Sequence, residues 1–246
     1  MEPDYTQVFH NSSKNHYKSH PPISPNSDEW PEEWKTTYYK TYPRLPKAAL
    51  PKAELPETSF RILIEKRKSR RDFHRGVVTL KEVSSLLAYT CGNTSPLHDG
   101  RFHRAQASGG ARFPIETYML CFRSTPELAA GVYHYDVKNH QLEYLWERTF
   151  GDADIDTLFT YPWVKEASII LVFTSVFSRT QQKYGERGYR YVLLEGGHIG
   201  QNGYLACEAL QLKCCALGGT QDHEVEKVLD IDGSSESVVY ALAIGK

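Results

Sequence analysis

The stretch "KYGERGYRYVLLEGGHIGQN", residues 183–202, has the apolar spacing of a helix but carries an unusual number of glycines. Gly185 and Gly188 precede the apolar pattern, and four glycines lie within it or in the next turn: Gly196, Gly197, Gly200 and Gly203. Each helical glycine costs about 0.8–1 kcal/mol relative to alanine, so the four together would cost about 3–4 kcal/mol. Gly196, Gly200 and Gly203 share one helix face, which predicts that a partner subunit or a flat cofactor ring packs closely there.

Apolar patterns on both sides of this helix predict a mixed fold. Ile169–Phe173 is a continuous apolar run, typical of a strand within 167–176 that is buried on both faces. Thr79 and Glu82 form a capping box ahead of an apolar-periodic helix. Further patterns predict helices near 60–64 and 225–229, a strand at 115–122, a hairpin over 131–145, and strands at 214–217 and 238–244. Helices and strands are interleaved without a regular βαβ repeat, which favours the α+β class.

The first 56 residues differ in composition from the rest of the chain. They hold nine of the thirteen prolines, with a cluster of aromatic residues around Trp30 and Trp34. Proline disfavours regular helices and sheets, whereas aromatic residues are unusual in a solvated tail. We therefore predict an irregular arm over 1–56, packed on its own domain or on a partner subunit, followed by one compact domain over 57–246.

Charge and cysteine content exclude several classes of function. A formal net charge of -1 argues against broad electrostatic binding to nucleic acid or to an anionic membrane surface. The N-terminus lacks a basic region followed by an apolar one, and no apolar run is long enough to cross a bilayer. The five cysteines show no CxxC pairing suited to zinc. We expect a cytoplasmic protein with reduced core thiols, no metal site, and a small or peptidic partner.

Three stretches carry residues suited to an anionic or planar ligand. In "EKRKSRR", residues 65–71, Arg67 and Arg71 lie on one side if the segment is helical, and with Ser69 they suit a phosphate monoester. The glycine pairs of 107–114, "ASGGARFP", and 216–222, "ALGGTQD", let the backbone approach a ligand closely. Neither loop matches a Rossmann or P-loop signature. Taken alone, each stretch is more commonly a solvated helix end or a plain turn.

Lys183 and Tyr184 stand between the buried strand and the glycine-rich helix, where side chains often reach a cleft. Either can move a proton if burial or a neighbouring cation brings its pKa toward neutrality, and nearby positive charge would lower both pKa values. In isolation, such loop residues are more often simply solvated. Glu195, His198 and Asn202 are spaced for a polar network along the helix, with His198 interpreted as a structural core histidine.

Taken together in their order along the chain, these segments resemble the SagB-type branch of the nitroreductase-like flavoprotein superfamily. The members of this branch are the thiazole and oxazole dehydrogenases. The matching stretches are "FHNSSKN" at 9–15, "EKRKSRRDF" at 65–73, "ASGGARFPIE" at 107–116, "GVYHYD" with "HQLE", residues 183–202, and "GGTQD" at 218–222. The resemblance spans nearly the whole chain. It implies a nitroreductase-like fold with a central, mainly antiparallel sheet flanked by helices, in a homodimer with extended arms.

The resemblance also implies FMN as the cofactor, held between subunits. The family's basic and serine positions for FMN fall on Arg67, Lys68, Ser69 and Arg71, with Arg71 the best candidate for the phosphate. The loop over the flavin ring, supplied by the other subunit, falls on Ser108, Gly109 and Gly110. The turn that places an N–H near flavin N5 falls on Gly218 and Gly219. The pair associated with azoline oxidation is Lys183 and Tyr184.

The chain departs from the family pattern at three positions. Thr220 stands where an aromatic residue commonly follows the Gly-Gly pair, and Arg112 precedes the aromatic residue of the 107–114 loop. The C-terminal basic group that often helps to hold the FMN phosphate has only Lys246 as a counterpart. These departures leave open the contacts at the ring edge, at the cleft mouth and at the phosphate.

The implied reaction is the two-electron oxidation of a thiazoline or oxazoline ring to the aromatic azole, with Lys183 and Tyr184 carrying the proton transfer. The substrate would be an azoline-containing peptide or a carrier-protein-bound chain, and a cyclodehydratase or synthetase would be the partner. One alternative is a general FMN nitroreductase or quinone reductase that uses NAD(P)H. Another is a non-catalytic scaffold of a peptide-modification complex that does not bind flavin.

Overall fold

A seven-stranded antiparallel sheet is the centre of the computed structural model, which describes residues 4–14, 23–97 and 101–246. The strands are β1 Lys47–Ala49, β2 Asn93–Pro96, β3 Phe102–Arg104, β4 Ile115–Cys121, β5 Gly131–Asp136, β6 Gln141–Glu147, β7 Ile169–Val176, β8 Lys213–Leu217 and β9 Glu236–Gly245. Their order across the sheet is β1-β6-β5-β4-β7-β9-β8, and β2 pairs with β3 in a separate hairpin. All neighbours in the large sheet run antiparallel. The predicted α+β class and mainly antiparallel sheet are confirmed.

Helices cover both faces of this sheet. They are α1 Tyr5–Ser12, α2 Glu32–Lys35, α3 Phe60–Lys66, α4 Leu80–Cys91, α5 Asp152–Leu158, α6 Ser178–Tyr184, α7 Gly188–Ala209 and α8 Asp222–Leu229. One apolar layer joins α4 and α7 to the sheet through residues such as Leu86 and Ile199. The opposite layer joins α5 and α8 through residues such as Ile155 and Val225.

The interior strand β7 contributes side chains to both layers, as its unbroken apolar sequence predicts. Successive side chains of a strand point to opposite faces. Leu171 and Phe173 accordingly enter the layer under α4 and α7, whereas Ile170 and Val172 enter the layer under α5 and α8, and all four are fully buried. The prediction of a strand buried on both faces is confirmed.

The predicted capping box at the start of α4 is also present. The Thr79 N–H donates to the Glu82 carboxylate at 2.8 Å, and the Glu82 N–H donates to the Thr79 hydroxyl at 3.2 Å. These two bonds satisfy backbone donors that the first helical turn leaves unpaired. They fix the start of the helix that packs beside α7.

At two glycines of α7, the space that a side chain would fill is occupied by side chains of the same chain. Neither a partner backbone nor a cofactor ring lies there. A Cβ atom on Gly200 would lie 2.3 Å from Cε1 of Tyr240, and one on Gly203 would lie 2.4 Å from Cδ1 of Leu242, both on β9. Around Gly196 and Gly197, by contrast, no described atom lies within 4 Å of the added Cβ. The prediction of close packing is right for Gly200 and Gly203, but the element that packs on them is β9.

We expect the substitution Gly200→Ala to lower the free energy of unfolding by about 1–3 kcal/mol, because the added methyl group forces the Tyr240 ring to move. The measurement is urea denaturation at one protein concentration. The matched control is Gly197→Ala on the exposed side of the same helix, where better helix propensity adds up to about 1 kcal/mol. Unchanged stability for Gly200→Ala would contradict the packing described here. A loss at position 197 would instead indicate a neighbour from a second subunit.

The arm is more regular than its proline content predicts. Tyr5–Ser12 is a helix whose first turn is capped by Asp4, and Lys47–Ala49 adds a strand to the sheet beside β6. Proline is compatible with both, because it stands outside the helix and outside the three paired strand residues. The prediction that 1–56 is irregular throughout is therefore wrong. Residues 1–3 and 15–22, which include the last residue of "FHNSSKN", lie outside the described residues.

Other elements have no apolar pattern that predicts them: α5, α6 and the β2–β3 hairpin. The most consequential is α6, because its last turn carries Lys183 and Tyr184, which the sequence placed in a connection. The helix ends at Gly185, whose φ of 53° is a left-handed conformation that glycine adopts at no steric cost. Among the described helices, none combines the length and the apolarity needed to span a membrane.

Candidate active site

Lys183 lies under two tryptophans of the arm. Its side-chain nitrogen is 3.4 Å from the centroid of the Trp30 ring and 5.4 Å from that of Trp34, and only 8% of the residue is exposed. Burial lowers the pKa of Lys183 below its ordinary value, and the positive charges of Arg112 and Arg101 lower it further. The arm thus supplies an environment in which this amine loses its proton more readily than an exposed lysine does.

Tyr184 faces the Ser108–Gly110 loop of its own chain. A Cβ atom on Gly110 would lie 2.3 Å from the Tyr184 hydroxyl, and one on Gly109 would lie 3.2 Å from Cβ of Tyr191. Gly110 also has a φ of 64°, so both space and backbone conformation require glycine. The structure brings this loop and the Lys183-Tyr184 pair together, a proximity that the sequence alone does not reveal.

The pKa of Tyr184 moves in the opposite direction from that of Lys183. Its ring is half-buried and packs edge-on against Tyr191, with 4.9 Å between the ring centroids. Burial raises the pKa of Tyr184, and the nearby Arg112 charge only partly offsets this. Nearby positive charge lowers both pKa values as predicted, but burial outweighs it at Tyr184, whose hydroxyl stays protonated at neutral pH.

Arg112 is a buried residue, with 1% exposure, and joins three main-chain carbonyls. Its Nε donates to the Arg179 carbonyl at 2.9 Å, and its two terminal nitrogens donate to the carbonyls of Trp34 and Glu33, each at 2.6 Å. The first carbonyl belongs to α6 and the other two to α2. This departure from the family pattern therefore fastens the arm to the helix that carries Lys183.

The polar residues of α7 support the loop instead of forming a network with one another. Glu195 is buried, and its carboxylate accepts a hydrogen bond from Gln106 at 3.3 Å. Burial raises the pKa of Glu195 to about 7. His198 donates from Nδ1 to the Ala107 carbonyl at 3.0 Å, and Asn202 donates to the carbonyl of Thr90. The predicted network is wrong, and His198 is exposed rather than a core histidine, although it does hold the loop.

The basic stretch forms a second cluster beside β8. Because α3 ends at Lys66, residues 67–71 are not helical, and the premise for placing Arg67 and Arg71 on one helix side is wrong. The two guanidiniums instead lie over aromatic rings, Arg67 over Tyr204 at 5.3 Å and Arg71 over Trp163 at 5.8 Å from the centroid. Among the described residues, neither forms an ion pair with a carboxylate.

The remaining residues of the stretch differ in their contacts. The Ser69 hydroxyl lies 2.8 Å from the Tyr204 hydroxyl, and Lys68 is exposed. Arg70, which the resemblance does not assign, pairs with Glu208 of α7, and its N–H donates to the Cys214 carbonyl at 2.9 Å. These bonds hold the stretch against the free edge of β8.

The Gly218-Gly219 turn continues the same edge. The Ala216 N–H donates outward to the Tyr204 hydroxyl at 2.7 Å, and Gly218, the residue just past the end of β8, is exposed. A Cβ atom on Gly218 would meet nothing within 4 Å, whereas one on Gly219 would lie 2.0 Å from the Thr160 hydroxyl oxygen. The structure therefore places the basic stretch and the exposed Gly218 at the same side of the sheet, beside β8.

Within one chain, the two clusters lie apart. Tyr191 packs beside the Ser108–Gly110 loop, and Tyr204 packs beside Ser69, so the α7 segment between them measures ~20 Å at 1.5 Å per residue. One chain therefore does not assemble all the predicted site residues around one point.

The other two departures from the family pattern have structural roles. Thr220 hydrogen-bonds through its hydroxyl to the Asp222 carboxylate at the start of α8. Lys246 pairs with Glu82 at the start of α4, at 2.5 Å. Its side chain is thus engaged by a carboxylate and does not join Arg67 and Arg71.

The residues at the edge of β8 fit a flavin mononucleotide. Two guanidiniums and a serine hydroxyl are donors suited to a phosphate, and Arg67 and Arg71 carry positive charge that no described carboxylate neutralises. The open surface at Gly218 leaves room for a flat ring to approach the backbone. The donor set suits a phosphate, and the open surface beside it is compatible with the ring of the same ligand.

The nitroreductase family model matches residues 64–246, which is most of the chain. The chain belongs to the nitroreductase family. This membership makes it an oxidoreductase-family protein with the nitroreductase-like fold. The match begins within α3 and so leaves out the arm and both of its tryptophans.

Curated relatives include a protein of Methanocaldococcus jannaschii named as a nitroreductase, 30% identical over 72% of this chain and 87% of that protein. The trifolitoxin-processing protein TfxB of Rhizobium leguminosarum bv. trifolii is 29% identical over 68% of this chain and 47% of TfxB. The microcin B17-processing protein McbC of Escherichia coli is 27% identical over 63% of this chain and 57% of McbC. The chain thus spans about half the length of TfxB and McbC. These two relatives support the SagB-type branch of the family.

Solved structures agree with the fold. A nitroreductase-family structure from Anabaena variabilis has a TM-score of 0.73 at 23% identity, covering 97% of this chain and 45% of that chain. The E. coli microcin synthetase McbBCD complex with truncated pro-MccB17 bound includes a chain with a TM-score of 0.62 at 19% identity, covering 98% of this chain and 91% of that one. A Desulfovibrio desulfuricans structure in complex with FMN has a TM-score of 0.51 at 19% identity, covering 77% of this chain and 87% of that chain.

Sequence reasoning missed the contribution of the arm to the site. Trp30 and Trp34 were recognised only as aromatic residues that must pack somewhere, and Arg112 only as a departure from the family pattern. The available signal was the combination of tryptophans in a proline-rich segment with an arginine inside an otherwise apolar loop. That combination does not specify which surface the tryptophans cover.

Proposed function

We propose that the protein is an FMN-dependent dehydrogenase that oxidises thiazoline or oxazoline rings in a peptide to thiazole or oxazole. The observation that carries this proposal is Lys183, buried beneath Trp30 and Trp34 with a lowered pKa and adjacent to Tyr184. A general reductase that passes electrons to a nitro group or a quinone has no need of such a base. The relationship to two proteins that process peptide toxins supports a peptide substrate.

In this proposal Arg67, Lys68, Ser69 and Arg71 would hold the phosphate of FMN, and the backbone of Gly218 and Gly219 would contribute to binding its ring. FMN would supply a two-electron acceptor for hydride, and molecular oxygen would restore the oxidised flavin. Loss of a hydride and a proton accounts for the two hydrogens that each azoline ring gives up.

The chain's own residues manage the proton. With its pKa lowered by burial, a larger fraction of Lys183 is the neutral amine, which accepts the ring proton as a general base. Tyr184 keeps its proton because its pKa is raised, so it acts as a hydrogen-bond donor that orients the substrate ring. The tryptophans and the Ser108–Gly110 loop exclude water around the pair.

A homodimer is part of the proposal, because the two clusters of site residues lie at different positions along α7. In a dimer, the Ser108–Gly110 loop and the Lys183-Tyr184 pair of one copy would complete the site formed by Arg67, Ser69, Arg71 and Gly218 of the other. Exposed apolar surface on α7 supports this arrangement, since Leu193 and Leu194 are 44% and 59% exposed beside the open position at Gly197. The second copy would cover these side chains.

The proposed partners are an azoline-containing peptide or carrier-bound chain and the cyclodehydratase or synthetase that forms the azoline. The solved McbBCD complex supports a synthetase partner by analogy of fold. We also place the protein in the cytoplasm. Its cysteines, Cys91, Cys121, Cys207, Cys214 and Cys215, are all free and buried, which suits a reducing compartment.

Flavin binding has a direct prediction. We expect Arg67→Ala combined with Arg71→Ala to weaken FMN binding at least about tenfold, because each charge-assisted bond to a phosphate contributes about 1.5–3 kcal/mol. Fluorescence titration of the apoprotein with FMN measures the affinity. The matched control is Arg61→Ala on α3, an exposed arginine paired with Glu65, which should leave the affinity unchanged. Equal affinities for both variants would contradict the assigned phosphate site.

The activity is tested by mass spectrometry of an azoline-containing peptide or thioester incubated with the flavin-loaded protein. The proposed function predicts the loss of two hydrogens per ring. Rapid oxidation of NADPH with a nitroaromatic acceptor and no change in the azoline would instead favour a general nitroreductase. Colourless protein that does not bind FMN would favour the non-catalytic scaffold.

A further inference from the structure

Arg112 makes contacts that are unusual for a buried arginine. Among the described residues, no carboxylate pairs with it, and its donors go to main-chain carbonyls in two segments that lie far apart in the sequence. Burying a charge costs free energy unless hydrogen bonds compensate it. A guanidinium offers donors on three separate nitrogens in one rigid plane, so it can reach carbonyls on both segments at once, whereas the donors of a lysine all radiate from one nitrogen.

The segment that Arg112 holds ends directly over Lys183. Trp34 donates from its indole nitrogen to the Gln182 carbonyl at 3.2 Å, and Trp30 packs edge-on against Trp34 with 6.5 Å between centroids. Trp30 then lies over the Lys183 nitrogen. The helix within this segment, Glu32–Lys35, is only four residues long and has no buried residue, so its position depends on such external bonds.

We propose that Arg112 is a positioning residue for Lys183: it fastens the Trp30–Trp34 segment across the end of α6, and this segment keeps water away from the lysine amine. Arg112 touches neither substrate nor cofactor in this role. It acts through the tryptophans. The inference deepens the proposed function, on which its consequence for turnover rests, but the covering of Lys183 can be measured without any reaction.

The charged groups around Lys183 determine the direction of the expected change. Arg112 and Arg101 face it from the preceding loops, and both lower its pKa, although burial lowers it most. The other groups nearby are neutral or already paired. Tyr184 is protonated, and Arg179, one turn earlier on α6, pairs with Glu116 at 2.5 Å. On α2, Lys35 pairs with Glu32. The cation–π contact with Trp30 favours the ammonium form and opposes burial. Loss of the cover therefore raises the pKa of Lys183, because burial is the largest cause.

The experiment is competitive acetylation of the full-length, flavin-loaded protein with acetic anhydride over a range of pH, with mass spectrometry of the peptide that contains Lys183. Only the neutral amine reacts, so the midpoint reports the pKa of Lys183 and the plateau at high pH reports its accessibility. For wild-type protein we expect a midpoint below the ordinary value of 10.5 and a low plateau. For Arg112→Met we expect the plateau to rise several-fold and the midpoint to move up toward that value.

Two further variants separate the causes. Arg112→Lys keeps the positive charge but loses the planar fork, so its plateau should rise as for Arg112→Met, with a smaller shift of the midpoint. Trp30→Leu uncovers Lys183 without changing Arg112, and it keeps the test valid if the Arg112 variants do not fold. The matched control is Arg190→Met, because Arg190 fastens a different part of the arm, through the His10 carbonyl at 2.6 Å.

The inference is overturned if the Arg112 variants, or Trp30→Leu in their place, label at Lys183 with the same plateau and midpoint as wild type and Arg190→Met. The proposed function fails independently if wild-type protein shows the covered lysine but does not oxidise azolines. If both hold, the pH at which azoline oxidation reaches half its maximum should move upward in Arg112→Met. A purely structural role would lower the rate without moving that pH.

Discussion

The double variant Lys183→Met with Tyr184→Phe should remain folded and yellow while its azoline oxidation falls by about 10²–10⁴-fold, the usual contribution of a positioned general base. Methionine fills the space beneath Trp30 and Trp34 and cannot accept a proton. Phenylalanine keeps the ring that packs on Tyr191 and removes only the hydroxyl. Of the single variants, Lys183→Met should cause most of the loss, because the raised pKa of Tyr184 leaves it without a role as base.

The measurement is the initial rate of azole formation at saturating FMN, with the flavin absorbance spectrum recorded for each variant. Lys138→Met is the matched control, since Lys138 also lies over an aromatic ring, 5.9 Å from the centroid of Tyr39, outside the proposed site. Full turnover by the double variant would remove Lys183 and Tyr184 from the mechanism. In wild type the rate should rise with pH, with a midpoint below the ordinary lysine value, because the base is the neutral amine.

A second large effect is expected at His134, far from the proposed chemistry in sequence but connected to it through α6. His134 is fully buried between two carboxylates, with Glu143 at 2.9 Å from Nδ1 and Glu116 at 3.2 Å from Nε2. The other oxygen of Glu116 pairs with Arg179 of α6 at 2.5 Å. Removing one member of such a cluster leaves buried charge uncompensated, so His134→Leu should cost about 3–5 kcal/mol of unfolding free energy.

This stabilisation has a defined pH window. The His134 and Arg179 charges hold the pKa of Glu116 down at about 2 despite its burial, so its contribution is present above the unfolded value of 4.5 and is lost as pH falls toward 2. The two carboxylates raise the pKa of His134. The stabilisation that His134 contributes is therefore fully present below pH 6.5, its unfolded pKa. It is lost as the pH rises through the higher pKa of His134 in the folded protein. The stability difference between wild type and His134→Leu should be largest between about pH 4.5 and 6.5.

Urea denaturation at three pH values, one inside this window and one on each side, measures the effect. His223→Ala on the exposed side of α8 is the control, and it should stay within about 0.5 kcal/mol of wild type at every pH. A constant difference for His134→Leu across the range would show that the loss comes from packing and not from charge.

The long elements of the fold follow from apolar periodicity because their stability comes from one buried face or two. Leu171 and Phe173 alternate with Ile170 and Val172, and that pattern alone predicts a strand buried on both faces. The polar helix α6 has no such pattern. Its position depends on the Arg179–Glu116 pair, on Arg179 donating to the Phe113 carbonyl, and on Arg112.

The site was predictable only in part for the same reason. Glycine pairs and clustered arginines can be recognised as binding stretches from residue type, and the structure places Arg67 and Arg71 beside the Gly218 turn along one sheet edge. Which residues cover Lys183 could not be predicted, because Arg112 binds main-chain carbonyls. Carbonyls are present at every position, so no residue type marks the partners that Arg112 selects.

Strand β1 gives the arm a second role, which is to cover one edge of the sheet. Lys47–Ala49 pairs along the outer side of β6, which would otherwise present a row of unpaired backbone groups to solvent. Unpaired edges of this kind invite strand addition between molecules and lead to aggregation. A chain trimmed to the family match, which begins at residue 64, lacks strand β1 and both tryptophans. Solubility and the environment of the lysine amine therefore depend on the same segment, which lies outside the family domain.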